Sequence, residues 1–226
     1  MDIRHDDGIA MMMAMFITLL MSTLGIALVL ATSTEGLIAS NFRDQAEGVY
    51  AAEAALERAL DDLAVSNDWN AVLAGVTPST FLDGAPTGAR TLADGSAIDL
   101  VHVVNLADCG RIQPCTDADM DAVTSARPWG PNNPRWQLYA YGRVRDLLPN
   151  ESIDSPYYVT VMVGDDPSEI DARPLEDGAG TSGAGVVTLR AEAFGPRAAH
   201  RSVEMTVARP AAGQPGLRVL SWREVR

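Results

Sequence analysis

The sequence contains no lysine. All 17 of its basic residues are arginine, and 30 acidic residues outnumber them, so the formal charge is −13. A chain this acidic lacks the cationic excess that neutralises phosphates, which makes it a poor general nucleic-acid binder. Cysteine is limited to Cys109 and Cys115, and histidine to His5, His102 and His200. With no second Cys or His pair beside those two cysteines, a four-ligand zinc site is excluded. No nucleophile motif of the G-x-S-x-G kind accompanies the histidines, no catalytic set emerges, and no enzymatic activity is expected. What the sequence does have is 226 residues, 47% of them apolar and 21% charged, which excludes wholesale disorder and suffices for a buried core. The mean hydropathy of +0.02 excludes a polytopic membrane protein but leaves room for one membrane segment.

That segment is visible. From Ile9 to Ala31 there are 23 residues without a charge, and only Thr18, Ser22, Thr23 and Gly25 are not strongly apolar. Five of the nine methionines (Met11, Met12, Met13, Met15 and Met21) fall inside it. As a helix the run would rise about 35 Å, enough to cross a hydrocarbon core of about 30 Å. A cleaved secretory signal would have a shorter apolar core, a basic region before it and a small-x-small cleavage site after it. The preceding M-D-I-R-H-D-D-G sets Arg4 and His5 against Asp2, Asp6 and Asp7, a weak positive-inside signal. The expected orientation has the amino terminus in the cytoplasm and the bulk of the chain outside it.

The helical pattern continues past the run. Thr34 to Ala64 has no proline and is rich in Ala, Glu, Leu and Arg, interrupted by Gly36 and Gly48. Phe42, Val49, Leu56 and Leu63 recur every seven residues, Ala46 and Leu60 join their face, and Glu53, Glu57, Arg58, Asp61 and Asp62 mostly lie off it. One helix from about Ile9 to Ala64 is predicted, apolar all round in its first half and amphipathic in its second, with the amphipathic stripe packing on its own domain.

The segment G-I-A-M-M-M-A-M-F-I-T-L-L-M-S-T-L-G and the later A-S-N-F-R (Ala39 to Arg43) and A-A-E-A-A-L (Ala51 to Leu56) resemble the PilX-like minor pilins of type IV pili, within the wider pilin and pseudopilin superfamily. The likeness spans Gly8 to Leu60. It implies a leader ending at Gly8, cleavage there by a prepilin peptidase, methylation of the new terminus at Ile9, and partnership with major and minor pilins through the amino-terminal helix. The fifth position after Gly8 is Met13, where polymerising members of the superfamily carry Glu. Its absence points away from an abundant shaft subunit and towards a priming or tip-proximal place. The acidic leader departs from the more basic one usual in the family.

Beyond the helix, Ser66 to Gly95 reads as loops. Strands are predicted at Ala97 to Leu106, Trp136 to Arg145, Tyr157 to Val163, Val186 to Ala193, Ser202 to Arg209 and Leu217 to Glu224. The fold expected is α+β: a long amino-terminal helix packed on an antiparallel sheet, divided into a leader (1–8), a membrane or assembly half-helix (9–31), an amphipathic half-helix (32–65) and an extracytoplasmic β-rich domain (66–226). Cys109 and Cys115, in an exported chain, are expected to form a disulfide.

Gly164 to Gly178 crowds Asp165, Asp166, Glu169, Asp171, Glu176 and Asp177 into one loop. Their spacing admits a Ca²⁺ site drawn from Asp165, Asp166, Glu169, Asp171 and Asp177 without specifying one, and a solvated surface loop is the plainer reading. Asp117, Asp119 and Asp121 imitate the start of an EF-hand, but Ala122 and Pro128 replace the required Gly and Glu. Gly178, Gly180 and Gly183 spell the dinucleotide fingerprint with no helix after them, and that reading is rejected. The function expected is a processed minor pilin in type IV pilus assembly, held in the bacterial inner membrane and then in the pilus. The rivals are a minor pseudopilin of type II secretion and a membrane-anchored periplasmic binding protein, with or without a dependence on Ca²⁺.

Overall fold

A computed structural model describes residues 6–122, 129–148, 153–169, 171–178, 184–210 and 216–225. The chain divides into two units, residues 1–44 and 45–226. Helix α1 (Asp6–Val65) begins in the first and ends in the second. The elements that follow are α2 (Trp69–Leu73), β1 (Ala89–Thr91), β2 (Ala97–Asp99), α3 (Leu100–Cys109), α4 (Asp117–Ala122), β3 (Gln137–Arg143), β4 (Tyr158–Asp165), β5 (Val186–Phe194), β6 (His200–Ala208) and β7 (Arg218–Val225).

In the second unit, strands β3 to β7 form one antiparallel sheet in simple sequential order, and β1 pairs with β2 in a separate hairpin. The last turns of α1 cover one face of the sheet. Gly48, Ala51, Ala52, Ala55, Leu56, Ala59 and Leu63 are buried there, at the three- and four-residue spacing of one helix face. They join Val159, Val161 and Val163 of β4, Leu189 and Ala191 of β5, and Val203 of β6 in the main core. The opposite face of the sheet is covered as well. Tyr158 and Met162, which alternate with those valines on β4, pack with Leu100 and with Val103 and Ala107 of α3 respectively. Strand β4 is therefore buried along its whole length, and the unit has three layers, with the sheet in the middle.

The seven-residue stripe read from the sequence is only partly the buried one. Leu56 and Leu63 are in the core, Val49 and Leu60 are half-buried against it, and Phe42, in the first unit, is exposed. Alanines make up most of the contact, because a helix lying close on a sheet has room only for short side chains. Gly48 belongs to the same logic: a Cβ there would lie 3.2 Å from Cε1 of Tyr157.

Five of the six predicted strands are present with ends moved by one or two residues; the sixth is corrected. Ala97 to Leu106 is a strand only to Asp99, and α3 replaces the remainder. The Asp99 carboxylate caps that helix, accepting from the N–H groups of Val101 and His102 at 2.9 and 3.3 Å. Gly110, at φ +71°, ends it with its N–H on the Leu106 carbonyl. The β-branched run Val101, Val103, Val104 suggested a strand; the caps at both ends and burial of Leu100, Val103 and Ala107 decide for a helix. The expected loop from Ser66 to Gly95 also contains α2, capped by Asp68, and β1.

Asp108, near the end of α3, ties two layers together: its Oδ1 accepts from the Trp136 N–H at 2.8 Å. Burial pushes its carboxyl up to about 6, against the opposing pull of that N–H and of Arg135. The folded protein thus holds this proton more tightly than the unfolded chain, and stability is lost as pH rises from about 4 through about 6. Asp108→Asn keeps an acceptor for Trp136, and urea unfolding at several pH values is expected to show a flatter pH dependence across that window than wild type. Gly195 sets a second expectation, since a Cβ there would lie 2.3 Å from the ring of Tyr157, which is fully buried. Gly195→Ala is expected to lower stability by about 1–3 kcal/mol, read from the urea midpoint.

Candidate functional site

The first unit carries the candidate assembly segment. Residues 8–39 are exposed without interruption, and apolar side chains lie on every face of the helix. Ile9 is 57% exposed, Met13 63% and Leu37 69%. An apolar surface this continuous is stable only when another apolar surface covers it. The helix is long and apolar enough to cross a membrane.

The hydroxyl side chains between Thr18 and Thr34 are sealed against the helix itself. Thr18 Oγ1 donates to the carbonyls of Ala14 and Met15 at 3.1 and 2.9 Å, Ser22 Oγ to Thr18 at 2.8 Å, and Thr23 Oγ1 to Leu20 at 2.8 Å. Thr32, Ser33 and Thr34 do the same to carbonyls one turn back, at 2.8–3.1 Å. These hydroxyls need no water, as a segment surrounded by hydrocarbon requires. The sequence signal for this was available: Ser and Thr inside an uninterrupted helix face carbonyls three and four residues earlier.

Gly8 and Ile9, the expected processing positions, lie in the first turns of α1, and both are exposed. A Cβ at Gly8 would meet nothing within 4 Å. Met13 lies one turn beyond Ile9, in a stretch with no charge before Glu35. The leader residues 1–5 lie outside the described residues.

In the second unit, Cys109 and Cys115 are joined by a disulfide with Cα atoms 6.1 Å apart. It links the end of α3 to the segment before α4. The three EF-hand-like aspartates sit on α4, and two of them have other uses. Asp119 pairs with Arg111 and accepts from Thr116, while Asp121 pairs with Arg135. Pro128, Gly180 and Gly183, the remaining positions of the two rejected motifs, lie outside the described residues. His200 opens β6, with Nε2 3.1 Å from Glu192 and its ring stacked on Phe194. His102 lies on helix α3.

The acidic loop follows β4. Of its five candidate ligands the structure brings three together: carboxylate oxygens of Asp165, Glu169 and Asp171 lie within 4.8 Å of one another. Asp166 turns to Ser168, accepting from its N–H and its hydroxyl at 3.0 and 2.6 Å. Asp177 accepts from the Gly185 N–H at 2.5 Å and faces Arg209 at 3.9 Å. The loop is not uniformly solvated, since Asp165 is 5% and Glu169 1% exposed. Burial pushes Asp165 up to about 8; the Asp166 N–H opposes this, and the charges of Glu169, Asp171 and Asp177 add to it. Burial and the charge of Asp171 raise Glu169 as well. As oxygen donors, Asp165, Glu169 and Asp171 are suited to a hard cation.

The disulfide closes a short ring, for which the chain-entropy argument gives about 2 kcal/mol. Replacing both cysteines by serine is expected to lower the unfolding free energy by about that amount, measured by denaturation followed through tryptophan fluorescence, with the fold retained.

The family model described as PilX N-terminal matches residues 7–57, about a quarter of the chain. No curated protein matches, and no solved structure matches. The matched residues include the whole uncharged run and the helix face that packs on the sheet as far as Leu56, and over this segment the chain is similar to the PilX-like type IV pilins.

Proposed function

We propose that the chain is a minor pilin, cleaved after Gly8 by a prepilin peptidase, methylated at Ile9, and assembled into a type IV pilus from the bacterial inner membrane with residues 66–226 on the periplasmic side. The observation that carries this reading is the helix from Ile9 to Leu37, apolar on every face, with its hydroxyls bonded to its own carbonyls. Such a segment is stable in lipid and equally stable among the helices of neighbouring subunits, where small and apolar side chains pack closely. Insertion into a fibre is then an exchange of lipid contacts for protein contacts, and no chemistry is required of the domain behind it.

Met13 refines the place in the fibre. A carboxylate at the fifth mature position would be an unpaired charge in the apolar bundle until it met a neighbour's terminal amine, and that need would favour docking on an existing subunit. With methionine there, docking has no such charge requirement, and a subunit that starts or ends the fibre is the fitting role. The flexible thioethers of Met11, Met12, Met13 and Met15 adapt to irregular neighbours.

The test is the mature amino terminus. Mass spectrometry of the protein from piliated cells is expected to show a chain beginning at methylated Ile9. Gly8→Arg is expected to leave the leader in place and abolish the contribution to piliation. An intact leader on wild-type protein, or full piliation with the Gly8→Arg variant, would overturn the proposal.

A further inference from the structure

We propose that the loop after β4 is a Ca²⁺ site whose protein ligands include Asp165, Glu169 and Asp171. Three carboxylates drawn within 4.8 Å of one another would repel in the absence of a cation. A Ca²⁺ ion, which takes oxygens at about 2.3–2.6 Å, spans that separation. A second observation points to the same ligand. Asp165, one of the three, is 5% exposed, and its Oδ1 has no hydrogen-bond partner. A carboxylate oxygen so placed is costly unless a proton or a cation meets it, and a bound cation lets all three groups stay ionised.

The arginines of this region do not supply that charge to Asp165. Arg173 pairs with Glu176 at 3.1 Å, and Arg209 faces Asp177 at 3.9 Å while its guanidinium stacks on Trp69. The rest of the loop is built to hold the three carboxylates in place. Asp165 is fixed by its ladder position opposite Val187 in β5. The Asp166 turn, closed by Ser168 and by the Glu169 N–H on the Asp166 carbonyl, brings Glu169 back towards it. Asp171 is held by the Arg173 N–H on its Oδ1 at 2.8 Å.

The donor set selects the metal. Carboxylates without nitrogen or sulfur suit hard cations and not zinc or copper. Between the two common hard cations, an irregular loop with three carboxylates favours Ca²⁺, which accepts six to eight oxygens in flexible geometry. Mg²⁺ demands a near-ideal octahedron and keeps its waters. Carbonyl oxygens and water would complete the shell. A bound ion would fasten the loop that connects two central strands of the sheet.

The experiment uses the full-length protein in detergent micelles, stripped with EGTA and titrated with CaCl₂ by calorimetry and by thermal unfolding. Wild type is expected to bind one Ca²⁺ per chain and to gain about 3–6 °C at tenfold the dissociation constant. Asp171→Asn, at a half-buried loop position that tolerates the change, is expected to lose that gain. Glu176→Gln, in the same loop but outside the three, is expected to keep it. No heat and no shift in wild type at about 5 mM Ca²⁺, beyond the range of extracellular Ca²⁺ modules, would overturn the site. So would a shift that Asp171→Asn retains in full, which would mark diffuse screening of an acidic protein. An equal response to Mg²⁺ would overturn the choice of Ca²⁺.

Discussion

An α-helix satisfies its own backbone hydrogen bonds, and that is what allows residues 9 to 34 to exist as an apolar helix exposed along its whole length among the described residues. Everything else about the first unit follows from that self-sufficiency. Its side chains need neither a sheet nor a partner strand, only an apolar surrounding. Its hydroxyls turn inward to carbonyls one turn back, so even the polar positions present methyl and methylene groups outward. A strand of the same composition would need a neighbour on each side before it could leave water.

The second unit works by a different rule, close approach. Its sheet is covered on both faces, and the covering helices differ in how they fit. The end of α1 lies on Ala51, Ala52, Ala55 and Ala59, so the backbone itself comes near the valines of β4 and β5. Helix α3 instead rests on larger groups, with Leu100 near Tyr158 and Val103 near Met162 and Trp136. The two glycines that line the Tyr157 ring, Gly48 on α1 and Gly195 after β5, are the places where this fit leaves no room for a Cβ without displacing the ring.

The sequence made some of this plain and hid the rest for identifiable reasons. The apolar run and its length were unmistakable because charge is absent over so many residues. The strands of the main sheet were legible because β-branched residues recur in runs, and β4 lies buried on both faces, which calls for an apolar run without strict alternation. Helix α3 was misread as a strand because its valines favour both states locally, and the capping aspartate that decides the matter is one residue among many. The alanine face of α1 was underrated because heptad spacing draws attention to large residues, whereas the contact is made mainly by small ones. The acidic loop was legible as a cluster but not as a geometry. Which carboxylates converge depends on Ser168, Gly185 and Arg209 drawing Asp166 and Asp177 elsewhere.

The inward-turned hydroxyls have a mechanical consequence. A helix that has no unsatisfied donor on its surface has no hydrogen bond to break when its surroundings change from one apolar phase to another. Moving it costs only the exchange of one set of van der Waals neighbours for another, a process of many small steps and no large one. Residues Ile9 to Thr34 are in that sense uniform: along them no charge interrupts the apolar surface, and it is Asp7 at one end and Glu35 at the other that would resist entry into an apolar phase.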